Sequence, residues 1–230
     1  MLGRDSVTRL FLWVSVLASG IVVGALLFDL RVLAGAWSAS PPESLSLLPY
    51  GPRFPVDTGE FFIPISAALL VASFGALISG WQTPPRFRVL LLVPPVLIVG
   101  SLVFTVTWFW PHNRALWHVA IGAPDAIRDR AEIIRMAHQW VTFDWLRVTM
   151  GTLGFVCVVR AISLPFPAPN PDALPATRIM KVLYATGIAA VLLFVTYFLV
   201  VGLSSPPRGE DEEAEPLSRP RPEFPTCAAR

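Results

Sequence analysis

Charged side chains are scarce in this sequence and occupy only 15% of its 230 positions. Hydrophobic residues make up 54% of the chain, and the mean hydropathy is +0.60. A water-soluble domain needs a charged surface, whereas a chain inserted in lipid does not. The composition therefore excludes an ordinary soluble domain and predicts an integral membrane protein whose first partner is the lipid bilayer.

Basic residues are too few and too dispersed for binding to nucleic acid. The formal net charge is only +2, and Lys181 is the single lysine. A protein that neutralises phosphates needs a basic face, and no run of arginines forms one here. We therefore expect no nucleic-acid partner.

Cysteine and histidine are also rare. Cys157, in an apolar stretch, and Cys227, in the tail, lie seventy residues apart in regions expected to differ in depth, so we expect free thiols and no structural disulfide. Neither belongs to a Cys-x-x-Cys or Cys/His pattern. The histidines, His112, His118 and His138, show no His-x3-His or His-Glu-x-x-His spacing. We expect no metal site from them.

Long apolar runs, in contrast, are abundant. A spanning helix needs about 20 predominantly apolar residues. Four charge-free runs meet that length, namely Leu10 to Phe28, Phe61 to Pro85, Val89 to Asn113 and Val182 to Pro207. They predict an all-α helical membrane bundle.

One further apolar segment is bounded by charges. Only Val148 to Val159 separates Arg147 from Arg160, which is about 18 Å of helix and too short to cross. To span, the helix must begin near Trp145 or earlier and continue to Leu164, where Pro165 ends it. Arg147, and with it Asp144, then enters the membrane boundary.

These segments predict three parts of the chain. Residues 1–164 form a four-helix core with two long linkers on one side, residues 165–205 form a linker and a fifth spanning helix, and residues 206–230 form a disordered, Pro-rich acidic tail. The short basic linkers favour an N-terminus inside a bacterial plasma membrane. A cleaved signal peptide, ending near Ala34 to Ala36, is the alternative for the first segment.

The second long linker, Trp110 to Trp140, holds all three histidines and, with its flanks, five of the eight tryptophans. We predict a helix from Asp125 to Trp145 whose apolar stripe is Ile127, Ala131, Ile134, Val141 and Trp145, with His138 on the same stripe. Two interpretations remain open: an interfacial aromatic belt with a packed histidine, or an aromatic pocket between helix ends.

Spacings of four and then three residues place Trp140, Asp144 and Arg147 on one face of a helix that enters the membrane. A charge at membrane depth costs about 2.5–3.5 kcal/mol unless it is paired, so such a pair is a hypothesis for a functional site. The alternative is that the pair only anchors the helix at the interface.

These residues carry a family resemblance. Pro111-His112-Asn113-Arg114-Ala115-Leu116 after an apolar helix, followed by Trp140-x3-Asp144-x2-Arg147, resembles the anthrone-oxygenase-like small membrane proteins, largely a domain of unknown function. The resemblance covers roughly Arg9 to Leu164. The chain differs in having Asp144 where that family frequently has histidine, and in its fifth apolar segment and acidic tail.

The resemblance implies a cofactor-independent oxygenase that converts an anthrone to an anthraquinone with O2. It implies a base, a cationic or hydrogen-bonding stabiliser and a dry aromatic pocket. Asp144 or His112 is the candidate base, and Arg147 and Asn113 are candidates for steadying the enolate. Trp110, Trp140 and His138 are the candidate contacts to a lipophilic small molecule.

Three classes of function therefore stand side by side. The first is the oxygenase, the second is a non-catalytic membrane protein whose paired charges fix helix packing or a partner surface, and the third is a small transporter component. The central parts of the apolar segments lack acidic and basic residues, which disfavours an ion relay. The sequence sets no oligomeric state.

Overall fold

The computed structural model describes residues 4–50, 58–168 and 182. Within these ranges the chain is helical and contains no strand. The chain divides into two compact units, Met1–Leu192 and Leu193–Arg230, and the description below concerns the first. The predicted fifth helix, apart from Val182, and the predicted tail lie outside the described residues, so the domain boundaries remain predictions.

Six α-helices account for most of the described chain. Helix α1 spans Arg4–Phe28 and continues through a π-helical turn, Asp29–Leu33, into the short α2, Ala34–Trp37, which a 3-10 turn, Glu43–Leu47, follows. Helix α3 is Thr58–Ser79, α4 is Pro85–Phe104, a second π-helical turn is Thr105–Phe109, α5 is Trp110–Ala120 and α6 is Arg130–Ser163.

Local sequence explains where these helices begin and end. Asp129 caps α6, since its Oδ1 accepts a hydrogen bond from the Ala131 N–H at 3.0 Å. Helix α6 ends just before Pro165, which cannot continue a helix. Helix α4 begins at Pro85, where the missing N–H costs nothing.

Within the described residues, four helices are long and apolar enough to cross a membrane, and they confirm the predicted helical membrane core. They contain 33, 22, 36 and 34 residues: Asp5–Trp37, Thr58–Ser79, Pro85–Ala120 and Arg130–Ser163. At 1.5 Å per residue their lengths are about 50, 33, 54 and 51 Å, against about 30 Å of hydrocarbon. Three of the four therefore extend well beyond the thickness of the bilayer.

The fourth helix corrects a detail of the sequence prediction. It begins at Arg130 and runs without interruption to Ser163, so the predicted linker helix and the fourth span are one helix. Its buried face also differs from the predicted stripe. The buried residues are Ile133, Ala137, Trp140, Asp144 and Val148, whereas Ala131 and Trp145 are exposed.

The four long helices form a closed ring. Helix α1 packs against α3 and α6, and α4 packs against the same two helices on the opposite side. Large apolar side chains such as Leu17, Val96 and Val156 point away from the bundle and remain exposed. Such an apolar exterior is compatible with contact to lipid.

The extended helix ends meet at one end of the bundle in a region that we call the cap, comprising residues 29–50, 105–120 and 130–140. Its apolar core is Ala34, Trp37, Leu45, Leu48, Phe109, Leu116, Ile133, Ala137 and Trp140. The cap is held at its surface by Arg130, which donates two hydrogen bonds to Glu43, at 2.6 and 3.0 Å. These hydrogen bonds lower the pKa of the exposed Glu43 carboxyl below its ordinary value.

Close packing of α1 on α3 depends on Gly75, which leads to the first prediction. A Cβ at this position would lie 2.6 Å from the Phe11 ring, so Gly75→Ala must displace that ring. We expect a loss of about 1–3 kcal/mol, as for other overpacked sites. Thermal unfolding of the protein in detergent measures it.

Gly24→Ala is the matched control because, among the described residues, no atom beyond its own helix backbone lies within 4 Å of the added Cβ. We expect it to be neutral or to stabilise the helix, since alanine is the better helix former. Equal melting temperatures for the two variants would contradict the packing of α1 on α3.

Candidate functional site

A buried ion pair lies where α6 leaves the cap. Asp144 is fully buried, and the Arg147 side chain is only 11% exposed. The Arg147 Nε donates to Asp144 Oδ1 at 2.6 Å, and the Arg147 Nη2 also contacts that oxygen. The three-residue spacing brings the two side chains together on one face of the helix.

The two π-helical turns bring two further polar side chains to the same arginine. Asp29 Oδ2 lies 4.0 Å from Arg147 Nη2, and Arg147 Nη1 donates to Thr105 Oγ1 at 3.5 Å. Asp29 and Thr105 are each the first residue of a π-helical turn. Such turns occur frequently at functional sites. We call Asp29, Thr105, Asp144 and Arg147 the charged cluster; three of the four spanning helices contribute to it.

Aromatic rings cover the guanidinium. The Arg147 Cζ lies 3.8 Å from the centre of the Phe109 ring and 5.6 Å from that of Trp140. Trp140 meets both Phe109 and Trp37 edge to face, each at 5.1 Å between ring centres. We call Trp37, Phe109 and Trp140 the aromatic cluster. Phe109 and Trp140 shield Arg147 from water, which strengthens the electrostatic interactions of the cation.

Asn113 is tied to this cluster by a hydrogen bond. The Trp140 indole Nε1–H donates to Asn113 Oδ1 at 2.6 Å, which bridges α6 and α5. Because the amide oxygen accepts this bond, the amide nitrogen of Asn113 keeps its two donor hydrogens. Two residues of the predicted site, Asn113 and Trp140, are thus in direct contact.

His112 lies beside the aromatic cluster. Its ring stacks on Trp108 at 4.0 Å between centres, and Trp108 in turn meets Phe109 at 4.7 Å. The His112 Nδ1 lies 2.6 Å from the Trp108 carbonyl oxygen, which can only accept a hydrogen bond. Nδ1 therefore carries the hydrogen, and Nε2 is the basic nitrogen of the neutral ring.

The other two predicted contact residues, His138 and Trp110, lie on α6 and α5. His138 is exposed on α6, since it stands two positions from Trp140 and so faces nearly the opposite way. Trp110 is half-buried at the start of α5. His118 pairs with Asp125 at 2.9 Å, and Asp125 is exposed.

Sequence reasoning missed Asp29, Thr105, Phe109 and Trp37. A signal for Asp29 was present, because it directly follows the first apolar run and lies on the same side of the membrane as the start of α6. No such signal marked Thr105, Phe109 or Trp37. Their place in the site depends on the two π-helical turns and on the packing of α2 against the cap.

One oxygen of the charged cluster has no hydrogen-bond partner. Asp144 Oδ2 is buried and unpaired among the residues that the structure describes. The cluster also holds two carboxyl groups against one guanidinium. A buried carboxylate oxygen without a partner is costly, so its presence in a native structure needs a physical explanation.

The described side chains offer little for a metal ion. Within residues 4–50 and 58–168, no three His, Cys, Asp or Glu residues form a group that fits one. The charged cluster itself provides two carboxylates and a cation, which suits acid and base chemistry on an organic molecule.

Comparison with known proteins gives one result. Residues 54–157 match the family model described as anthrone oxygenase. No curated protein and no solved structure matched the chain. The matched region contains His112, Asn113, Trp140, Asp144 and Arg147, and Asp29 and Trp37 lie before it. The match supports the assignment of this chain to the anthrone-oxygenase-like family.

Proposed function

We propose that this chain is a membrane enzyme that oxidises a hydroxyanthrone, or a related acidic lipophilic aromatic, to the quinone with O2 and without a cofactor. The observation that carries the proposal is the unpaired, buried Oδ2 of Asp144 beside Arg147 and a set of aromatic rings. A base, a cation and a dry aromatic surface are what this reaction requires.

The reaction balances with O2 as the only oxidant. A base removes one proton from the ring CH2, which leaves an enolate whose electrons pass to O2 as a C–O bond forms. The resulting hydroperoxide loses its remaining C–H proton, the O–O bond breaks, and the ring carbon becomes a carbonyl. One CH2 and one O2 thus give one C=O and one water.

Each residue of the site has a role in this scheme. Asp144 Oδ2 takes the proton, and Arg147 and the amide N–H groups of Asn113 stabilise the enolate oxygen. Trp140 supplies an aromatic contact and holds Asn113 through its indole. Asp29 is a second carboxylate within reach of Arg147 and is the candidate to pass the proton onward. His112, through Nε2, is the alternative base.

The base leads to the second prediction. In Asp144→Asn the amide oxygen can still accept a hydrogen bond from Arg147, but the side chain can no longer act as a base. We therefore expect the fold to be retained and the oxidation rate to fall. We expect kcat for hydroxyanthrone oxidation to drop about 10²–10⁴-fold, the usual contribution of a general base. Oxygen uptake by purified protein, above the spontaneous rate, measures it.

Asp125→Asn makes the same chemical change at an exposed aspartate outside the cluster and should leave the rate unchanged. If Asp144→Asn keeps the full rate and His112→Gln abolishes it, His112 is the base. If neither variant loses activity, the catalytic assignment is wrong.

A role in helix packing alone is the second candidate function, because the charged cluster joins α6 to the ends of α1 and α4. The third prediction separates the two. Arg147→Met strands two buried carboxylates and should destabilise the protein by about 3–5 kcal/mol. Adding Asp29→Asn and Asp144→Leu should restore the melting temperature but not oxygen uptake.

Recovery of oxygen uptake together with stability in that triple variant would show that the charged cluster only holds the helices together and that its carboxylates are not needed for the reaction. The measurement pairs thermal unfolding with oxygen consumption on the same preparation, so a folding defect is not mistaken for a catalytic one.

The fourth prediction concerns orientation. We propose a multi-pass protein of a bacterial plasma membrane with its N-terminus inside, which puts the cap outside. In a background with Cys157 and Cys227 replaced by serine, Ser46→Cys in the cap should react with an impermeant thiol reagent in intact cells. Arg86→Cys, exposed at the other end of the bundle, should not. The reverse pattern would invert the orientation.

A further inference from the structure

A partly open cavity of about 60 Å³ lies between the four spanning helices, all of which contribute to its walls. It lies one helical turn deeper in the membrane than the charged cluster. Leu26 precedes Asp29 by three positions, Ser101 precedes Thr105 by four, and Met150 follows Arg147 by three; each of the three lines the cavity. The cavity therefore adjoins the charged cluster along three helices.

The size of the cavity limits what it can hold. One water requires about 10–15 Å³ of such space, and an engineered apolar cavity of about 150 Å³ binds benzene or xenon. A cavity of about 60 Å³ is too small for one benzene ring and far too small for three fused rings. It fits a molecule of two heavy atoms or a single xenon atom.

Its walls favour an apolar occupant. Most of the lining side chains are aliphatic or aromatic, and polar atoms come from three serines, Ser19, Ser66 and Ser101. The Ser19 hydroxyl already donates to the Ser15 carbonyl oxygen at 2.5 Å. A bound water needs two to four polar partners, and with Ser19 already engaged the two other hydroxyls are at the lower end of that range.

Glycine keeps the space open. Gly151 and Gly154 of α6 both line the cavity. A Cβ on Gly154 would lie 3.9 Å from the Pro94 Cα, which is an ordinary contact, so the added methyl fits and takes up part of the cavity. The structure thus tolerates a side chain at position 154, and the absence of one leaves room for a ligand.

We infer that this cavity is a binding site for dioxygen, which it holds one helical turn from Arg147 and Asp144. The inference rests on the proposed function, which consumes O2. Dioxygen is apolar and dissolves better in hydrocarbon than in water, so a site within the bilayer takes it from the membrane. The enolate formed at the charged cluster then meets O2 from the apolar side, away from water.

Xenon tests the cavity without any reference to activity. Crystals of the full chain pressurised with xenon should show an anomalous peak between Leu26, Ser101 and Gly154. Gly154→Ala should lose the peak, and Gly24→Ala, which adds the same methyl where nothing lies within 4 Å, should keep it. Ser101→Val fills the cavity from another wall and should also lose the peak.

The dependence of the oxidation rate on O2 concentration tests whether the cavity supplies O2 to the reaction. In Gly154→Ala the KM for O2 should rise several-fold, while kcat at saturating O2 and the KM for the hydroxyanthrone stay as in the unsubstituted protein. Xenon should compete with O2 in the unsubstituted protein and in Gly24→Ala. A peak unaffected by both filling variants, or an unchanged KM for O2, would overturn the inference.

The two proposals fail separately. If xenon binds but no oxidation is observed, the proposed oxygenase function is wrong, and the assignment of O2 to the cavity is wrong with it. Oxidation with no xenon peak would leave the oxygenase standing and overturn the cavity as its oxygen site.

Discussion

Burial of the Arg147 guanidinium is the constraint on which the rest of this structure depends. A cation at membrane depth is costly unless it is paired, and one carboxylate on the same helix leaves some of its donors unpaired. Asp29 and Thr105 supply further acceptors from the π-helical turns that follow α1 and α4. The ends of three spanning helices are therefore held at one level by a single side chain.

The same constraint accounts for the two π-helical turns. A π-helical turn adds a residue to the helix and so changes the direction of the side chains that follow it. Both turns occur where a side chain must reach Arg147, and both lead into the extra helix that forms the cap. The cap in turn buries Phe109, whose ring covers the arginine, and Trp37, which packs against Trp140. Ion pairing and aromatic packing are thus parts of one arrangement.

The position of the charged cluster suits chemistry on a molecule that dissolves in lipid. Above it lie the aromatic rings and Asn113 of the cap, and below it lies an apolar cavity bounded by all four helices. A lipophilic aromatic and an apolar gas both concentrate in the bilayer. Polar groups in a dry setting stabilise developing charge more strongly than they do in water. The region matched by the family model contains most of these residues, whereas Asp29 and Trp37 precede it in the sequence.

The sequence by itself determined the membrane class, the four of its five predicted spans that lie in the described residues, and the shared face of Trp140, Asp144 and Arg147. Those features follow from hydropathy and from the 3.6-residue period of a helix, which are local properties. The helical period did not show which face of α6 is buried. The predicted stripe included His138, which is exposed, and omitted Ile133 and Ala137, which are buried. Only the tertiary structure decided that face, because it depends on which neighbours α6 meets. It alone also brought Asp29 and Thr105 to Arg147, since contacts between distant segments depend on the packing of helix ends and on π-helical turns that leave no periodic mark in the sequence.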